Sequence, residues 1–390
     1  MKRRKEKVVL RLLILFLILL LNLLLGARPV KAAEEDSLHI DELDFDEVDR
    51  IVTESGAQTM LEEQTQSRTV GELLEAVVSG STSASWQDWV AAFGNSLWGN
   101  MKSYVGLMLK VIGLVMISRC FSSLSDHFGD TNAAEVGFLC VYGILALVLM
   151  ESFQLVCLEA QQTVERVKRL SLYMMPAMAA IAVAAGFPVS SIFQGEALTG
   201  GFSLILTVIQ KIFLAGVLWI TVLDVVNCIG KREVLRQMIS LCRSILDKGV
   251  KAISILYLLL MGLVGTVTPS ADRLIYKVSG SLISSVPIVG SALSGAVETV
   301  MTGSLLVKNG IGVVGCIVLL VICLVPVAKL TAFWLIYRMM AAFLAPIAEE
   351  RVIRLLTALG KSTAMLLSIL VISMVIFTGA SGIMIVTLKQ

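Results

Sequence analysis

Charged side chains at Lys110, Glu151, Glu196, Lys211, Asp224, Glu298, Lys329 and Arg338 lie inside or beside long apolar blocks of the 390-residue chain. A charge at the centre of a membrane helix costs at least about 2.5–3.5 kcal/mol, so such residues face a bundle interior or a wet cavity, pair across helices, or reach for the interface. Asp224 and Lys329 stand near block ends and read as interfacial. Glu151, Lys211 and Glu298 stand deeper, and the chemistry open to them is a polar-cavity or pairing role. Other motifs carry less. GIGVVG (310–315) spells a dinucleotide fingerprint, but no acidic residue follows within twenty positions and the run continues as an apolar helix, whereas that fold needs a strand before it and an acid after it. LGKST (359–363) is half of a phosphate loop, with Leu355 where its first glycine belongs. His39 and His127 are too far apart to read as a ligand pair, and the seven cysteines contain no CxxC. They read as small apolar residues. No catalytic residue, metal or cofactor is expected.

The elements that must position these charges are membrane helices. The chain is 56% hydrophobic and 16% charged, against about 45–50% and about 25% for a soluble domain. The apolar residues cluster in runs of bilayer-spanning length, at 103–121, 136–158, 172–194, 201–228, 253–269, 310–328, 331–347 and 362–386, with a ninth candidate at 282–306. The expected fold is all-α: a polytopic helical membrane protein with six to eight spans.

The first 32 residues have the parts of a secretory signal. A basic start (Lys2, Arg3, Arg4, Lys5, Lys7) leads to an apolar stretch, Leu12–Leu25, and Val30-Lys31-Ala32 fits cleavage after Ala32. An uncleaved anchor is the alternative. Residues 33–100 follow with fifteen acidic and two basic side chains, against fourteen acidic and twenty-two basic over 101–390. This acidic segment is expected outside the cytoplasm, as short amphipathic helices (DELDFDEVDRIV, LEEQTQSRTVGELLEAVV) with a small core. It ends in a helix over 86–105 whose Trp86, Trp89, Phe93, Leu97, Met101 and Tyr104 recur at helical spacing and suit a membrane interface. The membrane domain is 101–390. Its hydrophilic stretches 159–171, 230–252 and 351–361 are expected on the cytoplasmic side by the positive-inside rule.

Two regions break helical regularity: 174–201, with Pro176 and Pro188, and 266–300, with Pro269, Pro287 and Gly290. Broken segments in two halves point to a transporter-like centre. Over 286–303, Gly290, Ser294, Glu298 and Thr302 recur every fourth residue, as do Ser291, Gly295, Thr299 and Gly303. Such a small-and-polar face suits close helix packing. Pro188, Gly290, Ser294 and Glu298, with Glu151 and Lys211, are therefore the expected bundle-interior or conduit residues.

YMMPAMAAIAVAAGFPVSSIFQ (173–194) and SVPIVGSALSGAVETVMTGSLLVKNGIGVVG (285–315) resemble the stage III sporulation protein AE family of endospore-forming Firmicutes. The signal-like start, acidic segment and polytopic remainder resemble it as well. The resemblance implies a membrane protein made in the mother cell and placed in the engulfing (outer forespore) membrane. It would belong to a multi-protein complex, with features of secretion machines, that links mother cell and forespore. The implied partners are the other stage III sporulation proteins and the lipid bilayer, with a homo-oligomer also open and no nucleic acid. The leading expectation is a non-enzymatic channel or export subunit. The alternatives are a secondary transporter for a small molecule using an intramembrane carboxylate, and a scaffold that only anchors partners.

Overall fold

The computed structural model describes residues 45–79, 86–128, 131–184, 188–230, 234–283 and 290–387. The signal segment and its cleavage point, within residues 1–44, lie outside them. All described elements are helices.

Three short helices form the acidic module: α1 (Asp46–Glu54), α2 (Gln58–Thr65) and α3 (Val70–Val78). Each buries one apolar edge: Val48, Ile51 and Val52, then Leu61, then Val70, Leu73 and Leu74. Gly56 permits the turn between α1 and α2, where φ is +69° and a side chain would be strained. At the start of α3 the Thr69 hydroxyl accepts from the Glu72 amide at 3.2 Å, and the Glu72 carboxylate accepts from the Arg68 amide at 2.6 Å. This variant of the capping box satisfies amides that the first helical turn leaves open. Asp49 of α1 also accepts from the Val70 amide at 2.8 Å, tying α1 to α3.

The remaining helices are α4 (Trp86–Ser103), α5 (Val105–Phe128), α6 (Thr131–Ala184), α7 (Pro188–Val208), α8 (Ala215–Ile229), α9 (Arg236–Ile283), α10 (Gly290–Leu344) and α11 (Glu350–Thr387). A π-helical turn, Ile209–Leu214, joins α7 to α8. Five stretches among the described residues are long and apolar enough to cross a membrane: Gln87–Cys120, Leu139–Ala180, Thr199–Ile229, Gly310–Leu344 and Glu350–Ile383. They nest unequally. In the most apolar window of Gly310–Leu344, 94% of residues are buried, against 17% in that of Gln87–Cys120. So α10 is the hub of the bundle, and α4 and α5 lie at its edge.

Three expected boundaries are absent. Residues 159–171 do not separate two blocks but continue the 54-residue α6. Residues 230–252 largely join 253–269 in α9. Blocks 310–328 and 331–347 form one helix, and five candidate spans stand among the described residues where six to eight were expected. The physical reason is that polarity does not end a helix. EAQQTVERVKRL consists almost wholly of residues with good or fair helix propensity, and Pro176 and Pro326 are carried inside α6 and α10. The chain turns instead between Leu344 and Glu350, where Ile347 and Ala348 amides fold back onto the Leu344 carbonyl. At 1.5 Å per residue α10 is about 80 Å long, well beyond a bilayer core of about 30 Å.

Close helix approach rests on glycine. A Cβ on Gly195 of α7 would sit 2.8 Å from the Ala179 Cβ of α6, one on Gly249 of α9 3.0 Å from the Phe213 ring, and one on Gly310 2.8 Å from Val78. The last contact seats the acidic module on α10.

Candidate functional site

Inside the bundle, charges meet in pairs. Lys329 of α10 donates to Glu159 of α6 at 2.5 Å, and Arg166, seven residues along α6, lies 3.8 Å from the other Glu159 oxygen. Beside this cluster Tyr104 stacks on Phe333, ring centroids 4.0 Å apart, and Phe333 neighbours Tyr337 at 6.0 Å. The Ser152 hydroxyl lies 2.8 Å from the Leu149 carbonyl and 2.7 Å from the Tyr337 hydroxyl. With Ser152 donating to the carbonyl, Tyr337 is the donor to Ser152. A second pair joins α8, α9 and α11: Arg243 donates to Asp224 at 2.6 Å and to the Ser362 hydroxyl at 3.1 Å. These pairs are only partly exposed, so each constrains which helix faces meet, because a charge left there without its partner is costly.

Asp224 and Lys329, which read as interfacial from their place near block ends, are each paired with a charge on another helix. Glu159, Arg166 and Arg243 were overlooked because their segments read as solvated helices. The available signal was the seven-residue spacing of Glu159 and Arg166, which puts both on one helix face.

Of the expected site residues, Glu151 and Lys211 are exposed on the outside of the single chain. That corrects their placement in its interior. On α6 the buried edge runs through Leu149, Ser152, Phe153 and Val156, and Glu151 falls on the opposite arc. Lys211 projects from the π-helical turn, whose buried side is Ile209, Phe213 and Leu214. Pro188 opens α7, where its missing amide costs nothing. Gly290, Ser294 and Glu298 lie in the first turns of α10. The side chains of Pro188, Ser294 and Glu298 lie outside the described residues. GIGVVG and LGKST are both inside helices. All seven cysteines are free thiols, and no three His, Cys, Asp or Glu side chains cluster among the described residues.

The two ends of the bundle differ. At one end Arg351 and Arg354 of α11 donate to the carbonyls of Ile229 and Gly230 at 3.3 and 3.4 Å. Nearby on α6, the Tyr142 hydroxyl reaches the Val225 carbonyl at 3.5 Å. Toward the other end, Arg169 of α6 donates to Glu54 of the acidic module at 2.8 Å. That guanidinium holds the Glu54 carboxyl below its ordinary pKa. Tyr142 and Arg169 are about 40 Å apart along α6. The module therefore meets residues 159–171 directly, where the sequence reading set the two on opposite sides of a membrane. Arg166 and Arg169 counted there as cytoplasmic positive charge, but carboxylates of Glu159 and Glu54 neutralise them.

Trp89 and Tyr104 turn inward from α4 and its junction with α5, where the helix packs on α10, while Trp98 stands exposed on the other side.

Comparison with known proteins adds two matches. A family model described as stage III sporulation protein AE matches residues 68–387. Over 314 residues the chain is 24% identical to "Stage III sporulation protein AE" of Bacillus subtilis (strain 168), covering 79% of this chain and 77% of that protein. No solved structure matches.

Proposed function

The chain belongs to the stage III sporulation protein AE family, and from that premise we propose that it is a non-enzymatic membrane subunit of the channel or export apparatus joining mother cell and forespore. It sits in the engulfing membrane, with other stage III sporulation proteins as its partners. The carrying observation is the placement of charge. Glu159 and Asp224 are matched by cations inside the bundle, whereas Lys110, Glu151 and Lys211 stand exposed on long apolar stretches. A self-contained transporter needs its reactive carboxylate inside; a subunit of a larger assembly needs polar contacts outside. Residues Pro188, Gly290, Ser294 and Glu298 remain our candidates for the surface that meets the conduit.

The orientation follows the same reading. The exported acidic module and the Arg169 end lie between the two membranes, and the Gly230–Arg351 end faces the mother-cell cytoplasm. Crosslinking in sporulating cells, followed by purification through this chain, should recover other stage III sporulation proteins. Reporter fusions at 240 and 355 should be cytoplasmic and one at 165 should not. Robust coupled solute uptake by the purified chain alone would overturn the reading.

A further inference from the structure

The outer face of α5 and α6 carries two charges of opposite sign. Lys110 interrupts an exposed apolar stripe that includes Leu109 (63% exposed), Met116 and Ile117, and Glu151 interrupts another with Ile144, Leu147 (72% exposed) and Leu155. Neither charge has a hydrogen bond or ion pair among the described residues. Only residues 129 and 130 separate the two helices, which pack as an antiparallel hairpin. Counted from that connection, Lys110 lies 18 residues before the end of α5 and Glu151 lies 20 residues after the start of α6. At 1.5 Å per residue these are about 27 and about 30 Å, so the two charges stand at the same depth. Lipid is a poor neighbour for either, and Glu151 lacks the long stem that lets a lysine reach the interface.

We infer that this face is covered by a second copy of the chain, with Lys110 of each copy set against Glu151 of the other. A patch that carries both signs at one depth is complementary to itself. A two-fold axis along the bilayer normal would match both pairs at once, as an isologous interface requires. The surface of α4 and α5 suits close approach as well. Gly99, Gly106 and Gly113 recur every seventh residue, and a Cβ on any of them would meet nothing within 4 Å. Gly106 and Gly113 bracket Lys110 within one helical turn on either side, so a neighbouring backbone can come near and keep its carboxylate within reach. This inference deepens the subunit reading, which uses the same exposed charges, and it fails separately if another protein covers this face.

Charge reversal in trans tests it. Full-length copies with two different tags are co-expressed in membranes, and co-purification of one tag with the other is measured. Lys110→Glu paired with Lys110→Glu, and Glu151→Lys with Glu151→Lys, should each lose at least about tenfold in recovered partner, the equivalent of about 1.4 kcal/mol. Lys110→Glu co-expressed with Glu151→Lys should recover the wild-type level, since both exchanged pairs are then opposite in sign. Should both single variants fail to insert, Gly113→Cys in one tagged copy and Leu147→Cys in the other, both in a background lacking Cys120 and Cys140, should crosslink between copies with the native charges in place. No co-purification of wild-type copies overturns the inference. So does rescue only when both reversals sit in one chain, which marks a pair within a chain. Association that needs another sporulation protein and ignores the trans combination also overturns it, and assigns the face to that protein.

Discussion

Glu159 and Lys329 are 170 positions apart in sequence and in contact in the fold, where α6 and α10 cross at the level of Tyr104. Removing one partner leaves the other charge beside apolar side chains. The pair is partly exposed, so the loss falls between about 0.2–1 kcal/mol for a surface pair and about 3–5 kcal/mol for a fully buried one. Glu159→Gln or Lys329→Met should each lower stability by about 2 kcal/mol. The double variant should recover much of the loss, because neither charge is then left alone. Thermal unfolding in detergent of the four proteins gives the cycle; strictly additive losses would show that the contact does not hold the two helices together.

Arg169 holds the acidic module through Glu54, and the sign of its pH dependence is fixed. A carboxyl whose pKa is lowered by its partner contributes fully above the ordinary carboxylate range and loses that contribution as pH falls through the lowered value. Docking should therefore weaken in acid and in high salt, since the Glu54 side is solvent-exposed. Arg169→Ala should reproduce the acid state at neutral pH. Protease cleavage between α1 and α3 reads it out, and a cleavage rate indifferent to acid, salt and the substitution would show that Val78 and Leu74 against Gly310 suffice.

The acidic module was legible because each of its helices carries its own apolar edge and stop. Val48, Ile51 and Val52 repeat on one face of α1, and Thr69 with Glu72 marks the start of α3. The long helices were legible in kind but not in extent. A single sequence shows that EAQQTVERVKRL is hydrophilic; it does not show that α10 and the module will bring Lys329 and Glu54 to meet it. The same limit applies to Asp224, whose partner Arg243 lies on the next helix. Composition flagged Glu151 and Lys211 as charges in apolar surroundings, which they are. Which arc of a helix points inward depends on neighbours that the sequence does not pair.

Ser152 and Tyr337 should respond unequally to loss of their bond. Tyr337→Phe removes the donor and leaves Ser152 bonded to Leu149, a cost of about 0.5–1.5 kcal/mol. Ser152→Ala strands a hydroxyl on one of the most deeply buried side chains, a cost of about 1–3 kcal/mol. Unfolding midpoints of the two variants check the order, and a more damaging Tyr337→Phe would mean that ring position, not the bond, is what Ser152 secures.

Two glycines that look alike in sequence should behave differently when changed to alanine. At Gly195 the new Cβ would lie 2.8 Å from the Cβ of Ala179, an atom fixed to the backbone of α6. Relief requires α6 and α7 to separate, and overpacking of that kind costs about 1–3 kcal/mol. At Gly216 the new Cβ would meet the end of the Leu246 side chain, also at 2.8 Å, but that methyl can turn away by a change of rotamer. Alanine there also favours the helix by about 1 kcal/mol over glycine. Gly195→Ala should therefore lower the unfolding midpoint clearly, while Gly216→Ala should leave it near the wild type. Equal losses at both positions would show that Leu246 has no room to move, and that α8 and α9 are packed as rigidly as α6 and α7.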